Sequence, residues 1–234
     1  MKEGYDKHYL VVCVDEKSKQ LIEDVRGIMP LKPGSATKYD YEYKRNGTRN
    51  IFVAVEPLAG KRKITVTVNR KKKDFAYFIK ELVEQDYKEA KTIRLVLDNL
   101  NTHFVSSFYE TFTKRESKKI LSKIEFYYTP KHGSWLNMAE IEINIMGREC
   151  LARRIGQEDV LKSEINYWSQ QRNKAKKKIN WSFTRKDADK KLSKHYVASL
   201  YCCYTSLPFF SASQPFFPAS ISFFHASKQF CNGG

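Results

Sequence analysis

Two short apolar runs that close on an aspartate constrain the fold of this chain more than any other feature. They are "VVCVD" at 11–15 and "RLVLD" at 94–98. Each is of strand length, too short for a stable helix, and reads as a buried strand. Around them the pattern alternates. Residues 9–15 form the first expected strand, with 20–26 as its hairpin partner, and the Pro- and Gly-punctuated stretch 27–40 reads as a loop. "NIFVAVEPLAGKRKITVTV" at 50–68 reads as two strands around a Gly-containing turn. Within 74–90, Phe75, Phe78, Ile79, Leu82 and Val83 recur at helical spacing. A strand at 92–98, a helix at 104–115, a strand at 123–128 and helices at 136–150 and 157–176 follow. Three early strands and then alternating helix and strand predict an α/β fold with a mixed sheet.

The aspartates at the strand ends need a reason. Asp98, followed at once by Asn99, reads most simply as the start of a turn. A second reading takes Asp15 and Asp98 together, because ligand sites in open α/β sheets collect at the carboxyl ends of strands. If the two strands are parallel neighbours, the carboxylates face each other across roughly 4.8 Å. Two such groups repel and raise each other's pKa unless a cation neutralises them. For an all-oxygen site that cation is Mg²⁺ or Mn²⁺. A third ligand is sought in "TPKHGSWLNMAEIEI", which supplies Glu140 and Glu142. On a helical wheel Glu140 lies beside Leu136, Ile143 and Gly147, near the expected core face, and Glu142 lies further round. The wheel favours Glu140 but separates the two weakly, and the usual fate of either is an exposed helix carboxylate. Strand alternation points Glu16 and Asn99 away from their aspartate neighbours, toward turn or supporting roles. His103 either contacts a phosphate, orients Asp98 or begins the next helix. Lys131 and His132 are candidates for a DNA backbone or a solvated loop, and Trp135 reads as a packing residue.

Charge speaks to partners rather than to fold. A formal net charge of +16 points to a polyanion, most commonly nucleic acid, against the plainer reading of solvated lysines. The densest late cluster is "RNKAKKK" at 172–178, and "RKKKD" at 70–74 is another. The cysteines at 13, 150, 202, 203 and 231 form no C-x-x-C pair, which fits a reducing, cytoplasmic setting without zinc or disulfides. The N-terminus lacks the features of a signal peptide. Composition changes sharply after residue 196. The stretch 197–234 has one Lys, one His, no acid and many Phe and Ser. Pro208, Pro215 and Pro218 argue against a membrane helix there. The expected organisation is a folded domain at 1–196 and a non-native or disordered tail at 197–234.

"VVCVDEKS", "LVLDNLNTH" and "FYYTPKHGSWLNMAEIE", in this order and widely separated, resemble the DDE catalytic domain of insertion-sequence transposases, of the insertion-sequence 630 family related to mariner elements. "PLKPG" and "DYEYKRNGTRNIFVAVEPLAGK" resemble that family's region between the first two acids, so the likeness covers roughly 8–196. It implies an RNase H-like fold with a mixed five-stranded sheet flanked by helices. It implies Asp15 on the first strand, Asp98 after the fourth and Glu140 in a "W-L-N-x-x-E" context as the catalytic, metal-binding triad, which decides against Glu142. It implies two divalent ions, Mg²⁺ or Mn²⁺, and phosphoryl transfer that cleaves DNA strands and joins them to target DNA. Asn99, His103, Lys131, His132 and Asn137 are then candidates to support the acids or contact DNA.

The implied partners are transposon ends and target DNA, with a homodimer to be tested and no membrane. The family carries a helix-turn-helix region before the catalytic domain, and here Asp15 comes too early for one, which suggests a truncated copy. A competing reading is therefore a non-catalytic DNA-binding remnant that interferes with full-length transposase. A general RNase H-like nuclease is a third.

Overall fold

The computed structural model describes residues 5–26, 33–34, 41–130, 133–184, 187 and 190–191. The expected tail at 197–234, and Lys131 and His132, lie outside the described residues. Five strands, β1 (Tyr9–Asp24), β2 (Tyr43–Glu56), β3 (Lys61–Thr67), β4 (Thr92–Leu97) and β5 (Ile124–Tyr128), form one sheet in the order β3-β2-β1-β4-β5. β2 runs antiparallel to β1 and β3, while β4 is parallel to both β1 and β5. The helices are α1 (Lys72–Glu81), α2 (Ser106–Thr111), α3 (Lys114–Leu121), α4 (Met138–Glu149) and α5 (Glu158–Lys174). This is the mixed five-stranded sheet flanked by helices that was expected from the sequence. Among the described residues no helix is long and apolar enough to cross a membrane.

Strand alternation divides the core. Val12 and Val14 of β1, with Phe52, Ala54, Leu95 and Leu97, face α1 and α2. Ile51 and Val53 face the other way, against Ile143 and Met146 of α4 and Leu161, Ile165 and Trp168 of α5. Burying both faces removes the requirement for alternating polarity, which is why the central strands read as continuous apolar runs.

Two boundaries differ from the sequence expectation. Residues 20–26 are not a hairpin partner, because β1 runs on to Asp24 and pairs with β2 as far as Asp24↔Tyr43. Residues 16–19 are Glu-Lys-Ser-Lys and hold no Gly, Pro or Asn to turn the chain. A register shift between Gln20 and Ile22 turns Leu21 into the core. The helix expected at 104–115 is broken into α2 and α3. Thr113 starts α3 by accepting a hydrogen bond from the Glu116 backbone N–H at 3.3 Å, a Thr-x-x-Glu helix start inside the apolar pattern.

The β2–β3 turn is docked on the chain leaving α5. Gly60 has φ +69°, and a Cβ there would lie 2.7 Å from backbone atoms of Lys176. Pro57 O accepts from Ile179 N–H at 3.1 Å beside it. Gly60→Ala is expected to cost about 1–3 kcal/mol through the left-handed backbone conformation alone, and more as Lys176 is pushed away. A lowered urea midpoint with an unchanged slope would show it.

Candidate active site

The parallel ladder between β1 and β4 runs from Tyr9↔Thr92 to Cys13↔Val96. Two residues beyond this last pair come Asp15, on the face of β1 that Cys13 occupies, and Asp98, just past the end of β4. Asp15 does not close its strand, as the apolar run suggested. It stays in the antiparallel ladder, opposite Val53, and only the pairing with β4 ends near it. β4 itself stops at Leu97, so Asp98 opens the following loop.

α4 lies on this face. Its Met138 and Ala139 pack with Cys13, Val96 and Tyr127, and Glu140 is the next residue. Asn137 sets the position of the helix start. It is fully buried, its Nδ2 donates to Val14 O at 2.7 Å, and its Oδ1 accepts from Ala139 N–H at 3.1 Å. Asn137 therefore ties α4 to the residue preceding Asp15 and has no surface to offer DNA.

The electrostatics reflect this convergence. Burial pushes the Asp15 carboxyl up and the Glu16 N–H, 2.8 Å from Oδ1, pulls it part way back. Repulsion from Asp98, Glu16 and Glu140 then adds to the rise, bringing the pKa to about 7. Asp98 moves the other way. Burial would raise it, but contact with His103 and the Leu100 N–H hold it below the usual carboxylate range. His103 has no solvent exposure. Its Nδ1 lies 2.6 Å from Asp98 Oδ1 and its Nε2 3.0 Å from Glu16 Oε2. Burial works against its charge, yet the two carboxylates outweigh burial and raise it to about 9. The ring rests on Phe75 at 4.7 Å, and Tyr128 Oη donates to the His103 carbonyl at 3.0 Å. The imidazole is thus enclosed between Asp98 and Glu16, with no surface open to solvent. Glu16 follows Asp15 on the opposite face of β1, as alternation required, and its Oε2 meets the other nitrogen of that imidazole.

Asn99 Nδ2 donates to Thr129 O at 2.5 Å and joins the exits of β4 and β5. Trp135 packs edge-on against Phe183 at 4.9 Å, with Lys191 Nζ 4.7 Å above its ring. The two glutamates of α4 separate clearly, and not as the wheel placed them. The buried face of α4 is Met138, Ala139, Glu142, Ile143 and Met146, while Glu140 is partly exposed at its edge. Glu142 is fully buried because two arginines meet it. Arg62 Nε lies 2.8 Å from its Oε1, a charge contact rather than an aligned hydrogen bond, while Arg172 Nε donates to Oε1 at 2.7 Å. Sequence reasoning missed Arg62 and counted Arg172 among surface cations. Only the bulk of Trp168 and the acids of α4 hinted at an inward side to that cluster.

Three carboxylates, with no thiol among them, form a hard-oxygen donor set that suits Mg²⁺ or Mn²⁺. Among the described residues no group of three His, Cys, Asp or Glu side chains is already gathered tightly enough to hold a metal ion. Carboxylates brought close repel one another, and a divalent cation would relieve that repulsion.

A profile of the DDE superfamily endonucleases matches residues 10–162. No curated protein matches the chain. Among solved structures, the Mos1 mariner paired-end complex with Mn is 14% identical, with a TM-score of 0.46 over 71% of this chain and 49% of that one. The Mos1 strand transfer complex is 12% identical, with a TM-score of 0.44 over 87% and 56%. A simian T-cell lymphotropic virus intasome is 8% identical, with a TM-score of 0.44 over 70% and 49%. The chain thus spans about half the length of these solved chains.

Proposed function

The chain belongs to the DDE superfamily endonucleases, and from that premise we propose that it is the catalytic domain of a transposase, of the insertion-sequence 630 and mariner kind, cleaving DNA strands and transferring them to a target. The observation that carries this reading is the arrangement of Asp15, Asp98 and Glu140. They come from a strand, a loop and a helix near the end of the β1–β4 ladder, and the charges of Asp98 and Glu140 both act on the Asp15 carboxyl. These three side chains would hold two Mg²⁺ or Mn²⁺ ions, which supply activation of the attacking hydroxyl and stabilisation of the leaving oxygen.

The surrounding residues prepare the acids. His103 keeps Asp98 ionised and fixes its orientation through a contact at 2.6 Å. Glu16 holds the far nitrogen of the same ring at 3.0 Å, so the imidazole cannot swing away. Asn137 fixes the start of α4, and with it Glu140, against β1. Lys174, Lys176, Lys177 and Lys178 remain exposed and suit contact with DNA phosphates. That part of the affinity is sequence-independent and falls as salt rises.

The test is nicking of supercoiled plasmid by the purified chain with Mg²⁺, with Mn²⁺ and with a chelator. Metal-dependent nicking that weakens steeply between low and moderate salt is expected. A folded chain that binds plasmid but never nicks it would overturn the catalytic reading. Cleavage of RNA in RNA–DNA hybrids without DNA cleavage would replace it with a general RNase H-like nuclease.

A further inference from the structure

We infer that the buried Glu142–Arg62–Arg172 cluster is a positioning device that sets the rotation of α4 and so aims Glu140 at the two aspartates. The inference rests on the reading of Glu140 as a metal ligand.

Glu140 and Glu142 are two residues apart, so they point about 200° away from each other around the helix. Whatever fixes Glu142 fixes the opposite side of α4 as well. Glu142 is held by elements from two other parts of the chain. Arg62 stands on β3, and neither its side chain nor that of Glu142 has any solvent exposure. Arg172 stands on α5, donating to Oε1 at 2.7 Å and to Oε2 at 3.2 Å. The arginines are anchored in turn. Arg62 donates to Lys177 O at 2.6 Å, and its backbone N–H donates to Asn173 Oδ1 at 2.8 Å. Asn173 Nδ2 returns a bond to Arg62 O at 2.9 Å. Arg172 lies over the Trp168 ring at 5.1 Å, and its Nη1 is 3.8 Å from Glu149.

Ile143 and Met146 pack α4 on the sheet through contacts without directional bonds, so a small roll would cost them packing only. A buried carboxylate between two guanidinium groups does not allow that, because a small roll strands a charge away from water. Asn137 pins the first turn of α4 to β1, and Glu142 pins the second to β3 and α5. Glu140 sits between the two pins. The second pin depends on Arg172, Asn173 and Lys177, all beyond the segment 10–162 that matches the family.

The experiment measures Mn²⁺ affinity of the full chain without DNA, by counting free Mn²⁺ with electron paramagnetic resonance. Asp98→Asn, Glu140→Gln, Glu142→Gln, Arg172→Lys and the Glu140→Gln/Glu142→Gln pair are compared with the parent. Glu142→Gln is expected to weaken Mn²⁺ binding at least tenfold while circular dichroism stays native. In the Glu140→Gln background the same change should add nothing, because Glu142 acts through Glu140. Additive losses would mean a merely structural role and would overturn the inference, as would parent-like affinity in folded Glu142→Gln. Should Glu142→Gln fail to fold, Arg172→Lys decides. Arg172 is near the surface, and Lys keeps the charge but not the two-pronged grip, so affinity should fall at least threefold. Unchanged affinity there overturns the inference too. Parent protein that binds Mn²⁺ no better than Asp98→Asn would overturn the reading of the acids itself, and the positioning role with it.

Discussion

Asp98→Asn is expected to abolish metal-dependent nicking while leaving the fold intact. The substitution keeps size and shape, and Asn suits the turn that Asp98 opens. What it removes is the negative charge. Charge stabilisation by a bound metal is worth several kcal/mol, so its loss lowers the rate on the order of 10³-fold or more. The change also deprives buried His103 of one of its two carboxylate partners, although Glu16 still holds Nε2 at 3.0 Å. The measurement is plasmid nicking beside circular dichroism and a thermal melt. Native spectra with no nicking above the chelator control are expected. Full activity in the folded variant would sink the assignment of Asp98.

Arg62→Leu carries the largest expected cost in stability. The side chain has no exposure and faces a carboxylate with none. Removing it leaves Glu142 dependent on Arg172 and frees the hydrogen-bond acceptor at Lys177. Breaking one partner of a buried ion pair costs about 3–5 kcal/mol, a large share of a domain stability of about 5–15 kcal/mol. The urea midpoint measured in the cold should fall accordingly. The paired change Arg62→Leu with Glu142→Leu should recover most of the loss, since well-packed apolar groups commonly replace a buried ion pair without penalty. Recovery of stability without recovery of Mn²⁺ affinity would separate what the cluster does for folding from what it does for aim. A single Arg62→Leu change of less than 1 kcal/mol would mean the pair is not buried as described.

The parts of this molecule that were readable in the sequence are those whose cause is local. "VVCVD" and "RLVLD" announce buried strands because burial on both faces makes each run apolar throughout. The parallel adjacency on which the pairing of Asp15 with Asp98 was conditioned is present, since β1 and β4 are parallel neighbours. The second half of β1 was illegible because its partner, Tyr43–Ile51, lies a long loop away and neither strand alternates cleanly in polarity. Glu142 was misjudged for a similar reason. A wheel records which residues share a face of α4, but it knows nothing of Arg62 and Arg172, which alone make burial of that carboxylate tolerable. The surroundings of His103 were not readable, because Glu16 and Asp98 reach its ring from β1 and from the loop after β4.

The place of each aspartate relative to its ladder gives the two unequal mechanical characters. Asp15 is clamped in mid-strand, with β2 paired alongside it on both sides. Asp98 begins a loop whose backbone is free of ladder bonds. One carboxylate is thus held by the sheet on which it stands, and the other through its side-chain contact with His103. Under the proposed phosphoryl transfer, a centre built this way would take up the changing separation between attacking and departing oxygens on its Asp98 side. Any such adjustment would fall on the loop that Asp98 opens, and the sheet itself would not have to move.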